Sequence, residues 1–231
     1  MFKNNNDIIE FDEIIRQEWG SPIIKDGIID IEKFLTAKPK ILWVLKEGNE
    51  KSPNKDRDHR EFHENVTVYP KWSITYENVI KSTYGLLYDC RFSDLPRLDN
   101  NDAKINGENV LLKVALINVN KNGGVGTADR TNIELNYSLH RKVLLTQIKE
   151  INPDVIINCS RVFRLFNDVS SEKFYDLEKD NLNKINFSYN NDKIFIDYYH
   201  PGCRKSTKTT EQYCSDIINI YQNWLKIKEK N

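Results

Sequence analysis

Four short apolar runs in this chain each end in side chains that can do chemistry. Ile41-Leu42-Trp43-Val44-Leu45 leads into Lys46-Glu47-Gly48-Asn49. Leu111 to Val119 closes with Asn118, Asn120 and Lys121, ahead of Gly123, Gly124 and Gly126. Asp154-Val155-Ile156-Ile157-Asn158 is followed by Cys159-Ser160-Arg161, and Lys193 to Tyr198 by Tyr199-His200-Pro201-Gly202-Cys203-Arg204. A carboxylate can orient water or favour a developing cation. An amide offers both a donor and an acceptor. A neutral histidine can donate to a developing oxyanion. Plainer readings stand beside these: Glu47 as a solvated loop acid, Asn118 as a turn residue bonded to backbone, His200 as a satisfied structural histidine. The glycine-rich stretch 120–126 matches neither the P-loop spacing nor Gly-x-Gly-x-x-Gly, and reads as a flexible loop.

The elements that must position these residues follow from periodicity. Ile8, Phe11, Ile15 and Trp19 recur at helical spacing, with Asp7 as the expected cap and Gly20 as the stop. Ser73 opens a helix carrying Tyr76, Ile80, Tyr84 and Leu87 on one face, and a further helix is expected over about 138–151. Thr209 and Gln212 form a capping-box pattern for a last helix that buries Tyr213, Ile217, Ile220 and Trp224. Residues 46–71 read as a long loop, Asn106-Gly107 as a turn, and 173–189 as irregular and peripheral. Apolar strands alternating with amphipathic helices predict an α/β fold: a three-layer α/β/α sandwich, with a central, mainly parallel four-stranded sheet, in a single domain over 1–231. Ligands of such folds bind beyond the carboxyl ends of the strands, where the four chemical clusters stand.

Composition removes several classes. Lys plus Arg and Asp plus Glu balance at 34 each, so there is no global basic field and any nucleic-acid contact must use a local patch. Apolar runs are too short to span a bilayer, and the first residues lack a signal-type apolar stretch. Cys90, Cys159, Cys203 and Cys214 form no Cys-x-x-Cys pair, so they are expected to be reduced thiols in a cytoplasmic chain without a metal or cofactor. A monomer is expected.

The order of these segments resembles the uracil-DNA glycosylase superfamily, in its divergent members. The resemblance rests on Ile41 to Glu47, on Ala115-Leu116-Ile117-Asn118, and on Tyr199-His200-Pro201-Gly202, and covers roughly residues 38–226. It implies that Glu47 and His200 are catalytic, the acid acting on water and the cationic sugar, the imidazole on the departing base. It implies that Asn118 reads the base edge, that Tyr69 or Trp72 stacks on the extruded base, and that DNA is the partner. Arg204 would wedge the duplex and Lys205, Ser206 and Lys208 would grip phosphate. Two departures stand out: Gly48-Asn49 replaces the usual proline after the acid, and Gly202-Cys203 the usual Ser-Pro after His-Pro.

Three functions therefore compete. The first is a DNA glycosylase acting on uracil or a related deaminated base. The second is a non-catalytic binder of a nucleobase or nucleic acid on the same scaffold, motivated by the neutral charge and altered motifs. The third is an unrelated α/β hydrolase or transferase. For the third, no Gly-x-Ser-x-Gly elbow is present, and His59 and His63 lack a helical apolar pattern and an obvious third zinc ligand.

Overall fold

Runs of Ile, Val and Leu with little polar interruption suit strands buried on both faces. They form the centre of the molecule, seen in a computed structural model that describes residues 1–20, 22–50, 55–64, 73–99, 104–124, 127–170, 176–180, 185–203 and 207–230. For 49, 73, 170 and 176–180 the backbone alone is described. The chain begins with α1 (Asn5–Trp19), β1 (Ile24–Lys25), β2 (Gly27–Ile28), α2 (Ile31–Thr36) and β3 (Ile41–Asn49). Then come β4 (Arg57–Asp58), α3 (His59–Glu64), α4 (Ser73–Leu87), β5 (Val114–Gly124) and α5 (Arg130–Ile151). The last part holds β6 (Val155–Asn158), α6 (Phe163–Ser170), β7 (Asp176–Asp180), β8 (Ile185–Tyr189), β9 (Ile194–Asp197) and α7 (Thr210–Lys228).

The main sheet has seven strands in the order β2-β5-β3-β6-β9-β8-β7. β5, β3, β6 and β9 pair in parallel, while β2, β8 and β7 add antiparallel edges. The expected four-stranded sheet is thus corrected to a larger mixed one, joined by a two-stranded parallel ribbon of β1 and β4. Strand side chains alternate between faces, and the core divides accordingly. Ile41, Trp43, Leu116, Ile157 and Ile196 pack with α4 and α7 residues such as Ile80, Tyr213 and Ile217. Leu42, Val44, Ile117, Ile156 and Phe195 pack with Phe11, Tyr137, Leu144 and Leu165 of α1, α5 and α6.

Several local expectations change. The cap of α1 is Asn4, whose side chain accepts from the backbone N–H of Asp7. Residues 46–71 are not one loop, since β3 runs on to Asn49 and β4 and α3 follow. The glycines at 123 and 124 lie in β5 rather than in a flexible loop. α5 starts at Arg130, before the expected 138, and departs from helical geometry at His140. Residues 176–180 and 185–189 form β7 and β8, antiparallel strands of the main sheet. The capping box of Thr209 and Gln212 forms as expected, and Asn106 and Gly107 both take positive φ, as a tight hairpin turn demands. All four cysteines are free thiols. Among the described residues, no helix is long and apolar enough to cross a membrane.

One edge of the sheet is closed by buried charge. Lys121, fully buried, donates from Nζ to Asp26 Oδ1 at 2.5 Å and to Gln147 Oε1 of α5 at 3.0 Å. The second oxygen of Asp26 accepts from the backbone N–H of Asn118 at 2.7 Å and from its side-chain amide at 3.3 Å. Arg60 of α3 bridges Asp58 and Asp12, each at 2.6 Å, pinning α3 against α1. Removing one partner of a buried pair leaves a desolvated charge unmatched. Asp26→Ala is therefore expected to cost about 3–5 kcal/mol in urea unfolding, and Asp26→Ala with Lys121→Met clearly less. A loss below about 1 kcal/mol for the single variant, the range of an exposed pair, would show that Lys121 finds other solvation.

Candidate functional site

β3 and β6 are neighbours, yet the chain leaves them in opposite directions, β3 towards β5 and β6 towards β9. Such a switch point opens a crevice beyond the carboxyl ends of the two strands. Lys46 and Glu47 stand at its β3 side and Cys159, Ser160 and Arg161 at its β6 side, with the ends tied by Cys159 N–H donating to Val44 O at 2.8 Å. His200 follows β9, one strand further on. With a strand spacing of ~4.8 Å, the ends of β3 and β9 lie about 10 Å apart.

Glu47 is half-buried, and its Oε2 accepts from the Asn120 side-chain amide at 3.1 Å. Asn120 also donates to Gly123 O at 3.0 Å and accepts from the Asn122 N–H at 3.0 Å, so its orientation is fixed. The carboxylate lies over Gly124, where any Cβ would collide with both of its oxygens. This close approach requires the glycine. Sequence reasoning missed Asn120 as the partner of the acid. The register pairs Glu47 with Asn120 and Leu45 with Asn118, and Asn118 turns its amide to Asp26 at the sheet edge.

His200 is held by its own turn. Nδ1 accepts from the Gly202 N–H at 3.1 Å, which assigns the ring proton to Nε2. Cys203 N–H donates to His200 O at 2.8 Å, and Asn78 of α4 donates to Pro201 O at 2.7 Å. A side chain on Gly202 would strike Thr75, again from α4. Burial pushes the imidazole down to about 4, with the charge of Lys46 adding to it. His200 is therefore a neutral Nε2–H donor at physiological pH.

The remaining expected residues fall into three groups. Tyr69, Trp72, Arg204, Lys205 and Ser206 lie outside the described residues. Lys208 is paired with Asp216 at 2.7 Å and is largely covered, so its ammonium is engaged within the fold. Ser160 is buried and donates to Asn158 Oδ1 at 2.6 Å. His59 and His63 do lie on a helix, α3, with ring centres 6.3 Å apart. His63 is buried and held neutral by desolvation, and among the described residues no group of three potential ligands could hold a metal ion.

A cavity of about 810 Å³ opens at the opposite end of the sheet, beside Asn152, Pro153 and Lys193. Some of its polar groups are occupied with one another: Arg141 pairs with Asp168 and Lys193 donates to Asn152. The strand-end crevice is the better site on chemical grounds. No protein-family model matches the chain, and no curated protein matches it.

The state of His200 has a consequence for stability. Its folded value of about 4 lies below the ordinary 6.5. Protonation thus favours the unfolded chain, and the contribution is full above about pH 6.5 and is lost as pH falls towards 4. Imidazole NMR is expected to show an Nε2–H tautomer that titrates near pH 4. A midpoint near 6.5 would mean a solvated ring.

Proposed function

We propose that this chain is a DNA glycosylase that hydrolyses the N-glycosidic bond of uracil or a related deaminated base. The observation that carries the reading is the neutral, Nε2-protonated His200 at one strand end, with the amide-held carboxylate of Glu47 two strands away. Cleavage leaves negative charge on the departing base and positive charge on the sugar. An Nε2–H donor stabilises the first without giving up its proton. A fixed carboxylate favours the second and orients the attacking water. The base must leave the stack to reach such a crevice, and the fold type expected from the resemblance accords with parallel strands at the sheet centre.

A second reading is favoured by one contact. Asn118, expected to read the base edge, donates its amide to Asp26, which weakens selection of a base at the crevice and leaves room for a non-catalytic binder that holds nucleic acid by other contacts. Uracil-containing single- and double-stranded oligonucleotides, treated with alkali after incubation, separate the two. The glycosylase reading expects strand breaks, with Glu47→Gln and His200→Ala each lowering the rate by roughly 10²–10³. Binding without product would favour the non-catalytic reading. Neither breaks nor binding, with uracil or other deaminated bases, would remove both.

A further inference from the structure

Two cations stand at the crevice, and among the described residues neither has a salt-bridge partner, although Glu47 acts on Lys46 and Arg161 on Asp197 through space. Lys46 is half-buried, and neither it nor Arg161 forms an ion pair or side-chain hydrogen bond among the described residues. Desolvation lowers the ammonium of Lys46 and the charge of Arg161 lowers it further, against the opposing pull of Glu47. The nearby carboxylates are already bonded: Glu47 to Asn120, and Asp197 to Asn158 at 2.7 Å.

Arg161 is also built into place. Its φ is +69°, a left-handed conformation that costs a non-glycine residue roughly 1–2 kcal/mol. Its guanidinium carbon lies 5.0 Å from the centre of the Tyr199 ring. The backbone of Tyr199 is fixed in turn, since its carbonyl accepts from the Tyr213 hydroxyl at 2.8 Å and this hydroxyl meets Cys159 Sγ at 3.4 Å, and its ring packs edge-on against Tyr198 with centroids 5.3 Å apart. Stacking on a ring face occupies none of the in-plane N–H donors. They remain available for a tetrahedral oxyanion, which guanidinium binds in a fork and ammonium as a point charge.

We propose that Lys46 and Arg161 form a phosphate-binding site at the β3–β6 switch point, for the phosphate group of a nucleotide. The juxtaposition of a half-buried ammonium and an exposed guanidinium held over the Tyr199 ring, neither of them in an ion pair among the described residues, carries it. The site is independent of whether any base is cleaved. Phosphate here would anchor a ligand between the acid of β3 and the imidazole after β9.

Calorimetric titration of the full chain with inorganic phosphate, dUMP, deoxyuridine and oligothymidylate tests this, and none of these probes needs to be cleaved. A phosphate-bearing probe is expected to bind, dUMP about tenfold or more tighter than deoxyuridine if the group is a free monoester. A response to oligothymidylate alone would identify a backbone diester instead. Arg161→Gly keeps the left-handed backbone allowed and removes the guanidinium; Lys46→Met removes a desolvated charge. Each is expected to weaken the responding probe about tenfold, with the melting temperature of Lys46→Met held or raised. For oligothymidylate, each is also expected to lower the salt slope by about one. Absence of binding by every phosphate probe, or wild-type binding by both variants, would overturn the site whatever the glycosylase assay finds.

Discussion

The buried pair of Lys121 and Asp26 is the constraint from which the site's geometry follows. A lysine with no exposed surface needs its charge matched at once, and Asp26 and Gln147 do this between the sheet edge and α5. That fixes which face of β5 turns towards α5. Because strand side chains alternate, Asn120 must point the other way, and there it meets Glu47. The same aspartate takes up both amide groups of Asn118. Asn118 and Asn120, two residues apart, share a face of β5, so their division of labour follows from position along the strand: Asn118 lies within reach of Asp26, and Asn120 is paired with Glu47.

The parallel centre of the sheet was legible because its strands are apolar on both faces, from Ile41 to Leu45 and from Val155 to Ile157. The β7–β8 pair was not. Its segment, including Ile185-Asn186-Phe187-Ser188-Tyr189, is polar enough to resemble a surface loop, and only its pairing with β9 makes it a strand. Gly123 and Gly124 misled in the same way. Glycine signals flexibility when read alone, yet here Gly124 is small so that a carboxylate can lie on it. The acid and the imidazole could be found from their places after apolar runs. Asn120 could not, because a two-residue choice depends on register, which only the folded sheet fixes.

The chemistry of the crevice comes from unequal environments. His200 is desolvated and wired to the Gly202 N–H, so it stays neutral and donates. Glu47 sits against an amide. Lys46 shares β3 with Glu47, and Arg161 follows β6, the strand between β3 and β9. Acid, cations and neutral donor are thus carried by three adjacent parallel strands. A base with an attached phosphate has complementary groups for all three, which links the proposed glycosylase chemistry to the proposed anion site.

The most direct test of this account is NMR of the full chain, labelled at histidine and asparagine side chains, titrated with free uracil. If the crevice receives the base, the Nε2–H signal of His200 moves downfield as it donates to a uracil oxygen, and the Asn120 amide beside Glu47 shifts over the same concentrations. Saturating uracil that leaves the His200 signal in place, or that shifts only residues at the amino ends of the strands, would contradict it.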